Sequence, residues 1–346
     1  MTKPVILTGL RANNDLTLGN YFGGMLPIVD MAKKHAADYQ INMFIPDLHS
    51  FTTPVNHGEL HEQIMHNARL FAAAGLPLNN DNIHLYRQSY IPAHCELTWI
   101  LSCFTGMGEM QRMTQFKDKS SAMNGDHISV GLFGYPILMA ADILLYGAKY
   151  VPVGDDQTQH LEFARDIAQR MNSRFGELFV VPEPVKKQHE FFGNDQGLRI
   201  MDLATPTKKM SKSNDSGKGV IFLGDTPEIV AKKIMSATTD DKARVAYSPA
   251  EQPGVSNMLE ILALVRGHDV QHVAEAFNGE AQYGIFKAVV AQEVSAFVAE
   301  FQNNLAGVDM QQVKQALQRS EEAMNVVANE TLLRVQQAVG LRAKGQ

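Results

Sequence analysis

Two lysines three residues apart occur in a loop-like run in the second half of the chain. The run reads Lys209-Met210-Ser211-Lys212-Ser213 and continues with Asn, Asp, Ser and Gly. Ammonium groups on such a loop can neutralise the negative charge that develops on a polyphosphate leaving group. Most basic runs are simply solvated, but this pentapeptide is far more specific than a generic Lys-Ser run. The run therefore predicts a phosphate-binding loop in which Lys209 and Lys212 are catalytic.

A second candidate motif, Thr17-Leu18-Gly19-Asn20, lies just after the first apolar run and at the start of a helical pattern. Gly19 would allow a nucleotide to approach the backbone closely, and the N–H groups of a helix start favour phosphate. The side chains of Thr17 and Asn20 can form hydrogen bonds with phosphate or ribose. Alone, such a turn is usually an ordinary helix cap. Together with the lysine run it predicts an ATP site, with Thr17 and Asn20 as further catalytic residues.

Short strands alternate with helices before the lysine run. Strands are predicted at residues 5–7, 41–45, 83–86 and 150–153, and helices at 18–34, 58–74, 94–104 and 155–172. Pro27 lies inside the first helical pattern and should kink or break it. Such alternation implies a parallel sheet, whose ligands lie at the carboxyl ends of the strands. From about residue 226 the patterns are helical, at 226–237, 255–267, 270–277, 286–301 and 310–339.

The composition is that of an ordinary soluble protein, with 45% hydrophobic and 20% charged residues in 346. No apolar run approaches the roughly 20 residues of a membrane span, and the N-terminus does not resemble a signal peptide. We therefore expect a cytoplasmic protein with no membrane partner. The net charge of −6 argues against general nucleic-acid coating, so no DNA partner is expected, but a local basic patch could still bind RNA.

The two cysteines, Cys95 and Cys103, cannot form a C-x-x-C pair or a disulfide framework. Both fall in a predicted helix, and we expect them to be buried as small hydrophobic residues. No site in which the protein alone holds a metal is expected.

Together the two motifs resemble the signature pair of class I aminoacyl-tRNA synthetases. Two further runs closely resemble bacterial tryptophanyl-tRNA synthetases: Tyr135-Pro-Ile-Leu-Met-Ala-Ala-Asp-Ile-Leu-Leu-Tyr146 and Val151-Pro-Val-Gly-Asp-Asp-Gln-Thr-Gln-His160. Residues 113–117 and 161–168 do so as well, and the likeness extends from about residue 7 to the end. It implies an enzyme that converts L-tryptophan and ATP, with Mg²⁺, into tryptophanyl-adenylate and pyrophosphate. The tryptophan would then pass to tRNA(Trp).

The resemblance also implies the architecture. It predicts an α/β fold with a Rossmann-like parallel-sheet catalytic domain at residues 1–220. A C-terminal α-helical domain at 221–346 would recognise the anticodon, and its last helix is a candidate to pack back on the catalytic domain. By the same analogy we expect a homodimer.

The tyrosyl enzymes share this fold, so the substrate requires a separate argument. Their pattern is Tyr-x-x-x-Gln-x-x-Asp, whereas this chain has Tyr135, Met139 and Asp142 at the same spacing. A tyrosine pocket must satisfy a buried phenol oxygen with polar partners. A thioether suits a large flat apolar ring, and a carboxylate can accept the single indole N–H. An isolated Asp in an apolar helix is more often a cap or an ion-pair partner, but within this motif the pattern indicates tryptophan.

The resemblance assigns roles to individual residues. Tyr135 and Gln157 would hold the amino group of tryptophan, Asp156 the ATP ribose and Lys119 the phosphates, with Gly19 beneath the adenine. His49 could equally bond only to backbone groups. The full predicted tryptophan set is Leu7, Gly9, His49, Tyr135, Met139, Asp142, Val151, Val153 and Gln157. The full predicted ATP set is Arg11, Thr17, Gly19, Asn20, Lys119, Gly154, Asp156, Met210, Ser211 and Lys212.

The chain also departs from the family pattern. Arg11-Ala12-Asn13-Asn14 replaces the usual Gln-Pro-Ser/Thr-Gly, which places a permanent cation near the expected phosphate or carboxylate. Leu7 occupies a position where a Phe often packs on the indole. Residues 188–197 are longer than the usual connection, and no role is predicted for them.

Three alternatives remain open from the sequence. A tyrosyl enzyme is opposed by Met139. A non-catalytic regulatory paralogue would be expected to lack a signature lysine, yet Lys209 and Lys212 are both present. A nucleotidyltransferase of the same fold would need neither the helical C-terminal third nor the pairing of Met139 with Asp142.

Overall fold

The computed structural model describes residues 3–10, 16–117, 128–154, 157–193, 199–211 and 217–344. Its sheet has the order β3-β2-β1-β4, and all three neighbouring pairs are parallel. The strands are β1 (Val5–Gly9), β2 (Gln40–Ile45), β3 (Ile83–Arg87) and β4 (Ala148–Tyr150). The predicted parallel sheet is confirmed, and the first three strands contain the residues that were predicted for them.

The fourth strand differs from the prediction of residues 150–153. Strand β4 pairs only with Val5 and Ile6 of β1, and the register shifts between those two residues. The chain leaves the sheet after Tyr150, because the N–H of Val151 bonds to the side chain of Gln188 at 3.0 Å instead of to a strand. The β-branched run at 151–153 thus forms an irregular wall rather than a strand.

The predicted helices are present with shifts of a few residues at their ends, except that the pattern at 18–34 is divided into two helices. The helices are α1 (Leu18–Asn20), α2 (Leu26–His35), α3 (Asp47–Ser50), α4 (Leu60–Ala73), α5 (Ala93–Ser102), α6 (Met107–Gln111), α7 (Val130–Leu144), α8 (Thr158–Phe175), α9 (Val185–Phe192), α10 (Pro227–Met235), α11 (Pro253–Arg266), α12 (Val270–Glu275), α13 (Tyr283–Ala306) and α14 (Met310–Ala338). Of these, α3, α6 and α9 were not predicted. The predicted disturbance near Pro27 takes the form of a π-helical turn, Tyr21–Met25, between α1 and α2. Pro27 lies in the first turn of α2 and has no N–H. The preceding π-helical turn does not need a hydrogen bond from that position, so the proline is tolerated there.

The two faces of the sheet belong to different cores. Ile6, Met43 and Leu85 pack in a cluster that continues into the helices after residue 226. Their neighbours Leu7, Phe44 and Tyr86 point the other way and pack with α5, α7 and α8. This alternation is expected of a sheet covered on both faces, because successive side chains point to opposite sides.

Helix α14 contributes to both cores. Its first half places Val313 and Leu317 in the first cluster, and its second half places Met324, Ala328, Leu332 and Val335 in the second. Glu321 lies between the two groups. Its carboxylate accepts hydrogen bonds from Nε and Nη2 of Arg87 on β3, at 2.6 and 2.8 Å. A two-pronged pair of this kind fixes orientation as well as distance, so α14 is held along β3.

The prediction that Cys95 and Cys103 are buried is wrong, since both side chains are exposed. With Trp99, which is 72% exposed, they recur every four residues and so share the solvent face of α5. The core face of the same helix is formed by Leu97, Ile100 and Leu101. Among the residues that the structure describes, no helix has both the length and the apolar character that a membrane span requires.

Candidate active site

A cavity of about 450 Å³ opens beside the carboxyl ends of β1 and β2 and the chain that follows β4. This is the edge where a parallel sheet binds ligands, and the volume suits a small molecule. The cavity wall includes every residue of the predicted tryptophan set: Leu7, Gly9, His49, Tyr135, Met139, Asp142, Val151, Val153 and Gln157. Gly154 of the predicted ATP set lies on the same wall.

Helix α7 supplies three of these side chains from a single face. Tyr135, Met139 and Asp142 are spaced four and three residues apart, which places them one above another on a helix. Ser129 caps the start of α7 by accepting the N–H of Leu132 at 3.1 Å. The surrounding residues of α7 are buried in the second core, so the helix presents this face to the cavity from a fixed position.

Asp142 is 1% exposed and is bonded by three side chains. Its Oδ1 accepts from Nε2 of Gln88 at 2.7 Å and lies 2.6 Å from Nδ1 of His94. Its Oδ2 lies 2.8 Å from Nε2 of His49. Burial alone would raise the pKa of this carboxyl group, but the hydrogen bonds from His49 and His94 outweigh burial and lower the pKa to about 2. Asp142 is therefore ionised at neutral pH.

An ionised carboxylate can accept about four hydrogen bonds, two on each oxygen. Gln88 and His94 occupy both positions on Oδ1 of Asp142, whereas His49 occupies one position on Oδ2. Among the hydrogen bonds between described residues, one acceptor position on Oδ2 thus remains, and Asp142 lies on the cavity wall. The arrangement suits a ligand that is largely apolar and carries a single N–H donor.

The sequence analysis did not identify Gln88 and His94, which bond to Asp142 and do not line the cavity themselves. His94 is fully buried, and its Nε2 lies 2.8 Å from the hydroxyl group of Tyr146, so both ring nitrogens are engaged. Nothing in the local spacing of either residue announces this role, because the contacts join parts of the chain that are about 50 residues apart.

Gln188 and Phe44 were also missed. Gln188 is 1% exposed and donates to the carbonyl oxygens of Lys149 and Glu183 while it accepts the N–H of Val151. It gives a structural role to the beginning of the segment for which no role was predicted. Phe44 lies on the cavity wall and supplies an aromatic surface where Leu7 supplies none. A Cβ on Gly9 would lie 2.8 Å from that ring, so only glycine fits beside it.

The Thr17–Asn20 turn is a helix cap in the structure. The hydroxyl group of Thr17 accepts the N–H of Asn20 at 3.1 Å and donates to Oδ1 of Asn20 at 2.8 Å. Thr17 is fully buried, whereas Asn20 is exposed. The Asn20 amide is accordingly the part of this motif that can reach a ligand directly, and Thr17 holds it in place.

The two sequence motifs meet at Gly19. Residues 200–202 and 208–210 pair as a short hairpin, in which Met210 N–H bonds to Ile200 O at 2.9 Å and Asp202 N–H to Lys208 O at 2.8 Å. A Cβ on Gly19 would contact Met210 and Ile200 at 3.6 and 3.7 Å. The hairpin therefore lies directly against the helix start. Met210 is buried, Ser211 is half-buried and Lys209 is exposed to solvent.

Four predicted ATP-site residues lie outside the described part of the chain: Arg11, Lys119, Asp156 and Lys212. The roles given to them stay predictions.

Comparison with known proteins gives one consistent result. The family described as class I tRNA synthetases (W and Y) matches residues 2–299. A tryptophan–tRNA ligase of Caldanaerobacter subterraneus subsp. tengcongensis is 41% identical, and the match covers 97% of this chain and 98% of that protein. The crystal structure of tryptophanyl-tRNA synthetase from Mycoplasma pneumoniae superposes with a TM-score of 0.81 at 33% identity, covering 99% of both chains. The Campylobacter jejuni enzyme, complexed with ADP and tryptophan, gives 0.78 at 30% identity, covering 97% and 99%.

Proposed function

The chain belongs to the class I tRNA synthetases for tryptophan and tyrosine, and from that membership we propose that it attaches L-tryptophan to tRNA(Trp). It first converts L-tryptophan and ATP into tryptophanyl-adenylate and pyrophosphate, and then transfers tryptophan to the tRNA. The observation that carries the choice of substrate is the ionised Asp142, which has one open acceptor position in a mainly apolar cavity. An indole ring has one N–H donor and no acceptor, so it matches this position.

Tyrosine is the competing substrate, because the family includes enzymes for both amino acids. A phenol hydroxyl group needs an acceptor and also presents lone pairs that require a donor when buried. Met139, which stands where the tyrosyl pattern has Gln, offers a thioether and no N–H donor. A buried phenol would leave its lone pairs unsatisfied beside it, and the 41% identical relative is a tryptophan–tRNA ligase.

Tyr135 and Gln157 bind the amino group of tryptophan in this proposal. Gln157 follows the wall formed by residues 151–154, and its N–H bonds to Gly154 O at 2.9 Å, which holds it at the mouth of the cavity. The substrate carboxylate is already ionised at neutral pH, so no general base is needed for its attack on the α-phosphorus. Catalysis then depends on positioning and on stabilisation of charge.

ATP binds across the meeting point of the two motifs, near Gly19, Asn20 and Gly154, and in the solved Campylobacter relative the bound ligands are ADP and tryptophan. Lys209 and Lys212 neutralise charge on the departing pyrophosphate. Arg11, Lys119 and Asp156 complete the ATP site, and Met210 and Ser211 line it. Mg²⁺ accompanies the phosphates of ATP and shields their charge from one another.

Residues 1–220 form the catalytic domain in this proposal, and residues 221–346 form the anticodon-recognition domain. The described elements after residue 226 are helices, which supports the division. Unstacked anticodon bases suit recognition by side chains. The enzyme acts in the cytoplasm, where its tRNA substrate is used.

The enzyme also forms a homodimer in this proposal. The support is the solvent face of α5, where Trp99 is 72% exposed between the exposed Cys95 and Cys103. An aromatic residue so exposed is characteristic of a contact surface, and a second copy of the chain is its proposed partner. Sedimentation velocity tests this, and a monomer at micromolar concentration would contradict it.

The function is tested by exchange of pyrophosphate into ATP with tryptophan, tyrosine or phenylalanine. We expect exchange with tryptophan only. In Asp142→Ala the KM for tryptophan should rise roughly 10- to 100-fold, because a hydrogen bond to a charged group contributes about 1.5–3 kcal/mol. The KM for ATP should change little.

Asp240→Asn is the matched control, since Asp240 is also held by two side chains, Tyr283 and Gln252, but lies in the helical region. It should leave the KM for tryptophan unchanged. Exchange with tyrosine in the wild type would refute the substrate, and an unchanged KM in Asp142→Ala would refute the proposed role of Asp142.

A further inference from the structure

The hairpin that carries Lys209 has an outer edge, formed by the backbone of residues 200–203, on the side away from that lysine. Met201 and Lys209 face each other as the non-hydrogen-bonded pair of the hairpin, because the bonds run between their neighbours, from Asp202 to Lys208 and from Met210 to Ile200. In such a pair each residue directs its own N–H and C=O away from the opposite strand. The two backbone groups of Met201 must therefore find partners elsewhere.

One side chain from the helical region satisfies both groups. Oδ1 of Asn257 accepts the N–H of Met201 at 2.8 Å, and Nδ2 of Asn257 donates to Met201 O at 2.9 Å. Asn257 lies on α11 and is only 2% exposed, so water does not compete for either bond. The amide of Asn257 thus forms the two hydrogen bonds with Met201 that a neighbouring strand would otherwise form.

The next outward-facing residue along this edge is held from two sides. Leu203 N–H bonds to Gly219 O at 2.9 Å, and Thr238 N–H bonds to Leu203 O at 2.8 Å. Thr238 lies directly against the start of α11, where a Cβ on Gly254 would come within 2.0 Å of Thr238 O. The strand at 200–203 is therefore clamped between the lysine-bearing strand and the helical region.

Helix α11 is itself firmly fixed. Met258, Leu259 and Leu262 on this helix are fully buried in the first core, together with residues from α10 and α13. Asn257 therefore ties Met201, and with it the strand that carries Lys209, to a helix that is fixed in the core.

We infer that Asn257 is a positioning residue that sets the place of Lys209 relative to the ATP site and so couples the helical region to catalysis. This inference rests on the proposed role of Lys209 in stabilising the departing pyrophosphate. Asn257 does not line the tryptophan cavity. Its loss should therefore lower kcat of the exchange reaction and leave the KM for tryptophan almost unchanged.

The test compares Asn257→Ala and Asn257→Asp with Ser256→Ala in the pyrophosphate exchange assay. Alanine removes both bonds, and aspartate keeps an acceptor for Met201 N–H but sets a carboxylate against Met201 O. Ser256 is the matched control: it is 1% exposed and accepts a backbone N–H, that of Ser248 at 2.9 Å, and Ser248 lies outside the hairpin. We expect kcat to fall about tenfold in both Asn257 variants, the equivalent of one to two lost hydrogen bonds. In Ser256→Ala we expect a similar loss of thermal stability with kcat unchanged.

A double-mutant cycle with Lys209→Ala separates positioning from general damage. If Asn257 acts through Lys209, Asn257→Ala should change kcat less than about twofold once Lys209 is absent. An equal loss of kcat with and without Lys209, or an unchanged kcat in Asn257→Ala, would overturn the inference. A wild-type protein without tryptophan-dependent exchange would instead overturn the proposed function, so the two failures are distinguishable.

Discussion

The cavity proposed for tryptophan and the region proposed for ATP are built in different ways. The cavity is formed by strand ends and one face of α7, and its charged group, Asp142, is buried and bonded by three side chains. The ATP side is formed by a helix cap and a hairpin that meet at Gly19, and its described cation, Lys209, is exposed. Selecting an amino acid requires an acceptor in a fixed position. Stabilising a departing pyrophosphate requires a cation that can reach charge as it develops.

The largest expected effect is on the exposed cation. Lys209→Ala should lower kcat of tryptophan-dependent exchange by roughly 10²–10³-fold, which is typical of removing one preorganised group that stabilises transition-state charge. The KM for tryptophan should stay within about twofold, since the site proposed for that substrate is in the other region. Steady-state exchange kinetics measure both.

Lys208→Ala is the control for this change, because it removes the same charge from the preceding position of the hairpin. It should retain nearly full kcat. An equal loss in both variants would mean that the net charge of the hairpin matters and the position of Lys209 does not.

The next effect concerns the acceptor. The pKa of Asp142, about 2, lies below its ordinary value of 3.8, so the ionised form stabilises the protein above about pH 4 and this contribution is lost as the pH falls towards 2. His94→Gln removes one of the two histidines that lower this pKa, so the pKa of Asp142 should rise. Tryptophan binding, which needs the ionised carboxylate, should then weaken about tenfold and fail at a higher pH than in the wild type.

Calorimetric titration of tryptophan between about pH 2.5 and pH 7 covers the range in which Asp142 loses its charge and measures this shift. His84→Gln on β3 is the control, since His84 is half-buried but has no bond to Asp142. Identical pH profiles for wild type and His94→Gln would show that Asp142 does not depend on His94.

The smallest expected effect lies on the cavity wall. Gln188→Ala removes the side chain that holds the N–H of Val151 and should raise the KM for tryptophan about threefold while kcat is retained. The neighbouring Lys187→Ala, which loses only a surface ion pair with Glu183, should have no effect. A change in kcat without a change in KM would show that Gln188 serves the ATP side instead.

The contrast between the two regions also explains what could be predicted from the sequence. Three of the four strands and the longer helices followed from periodicity. Met139 and Asp142 fell on one face because the spacing on a helix fixes it. The partners of Asp142 could not be predicted, because Gln88 and His94 reach it only after separate elements pack. The position at which β4 ends could not be predicted either, because it depends on the hydrogen bond from Val151 to Gln188. The exposure of Cys95 and Cys103 depends on which face of α5 packs against the core.

Helix α14 packs in both cores, and this has a consequence for folding during synthesis of the chain. Arg87 on β3 is synthesised 234 residues before Glu321, its partner on α14. Until then the apolar surface that later receives Leu332 and Val335 is uncovered, and the guanidinium group of Arg87 has no counter-ion from α14. A chain that ends before α14 therefore leaves this apolar surface exposed to solvent. Chaperones and proteases can recognise such a surface.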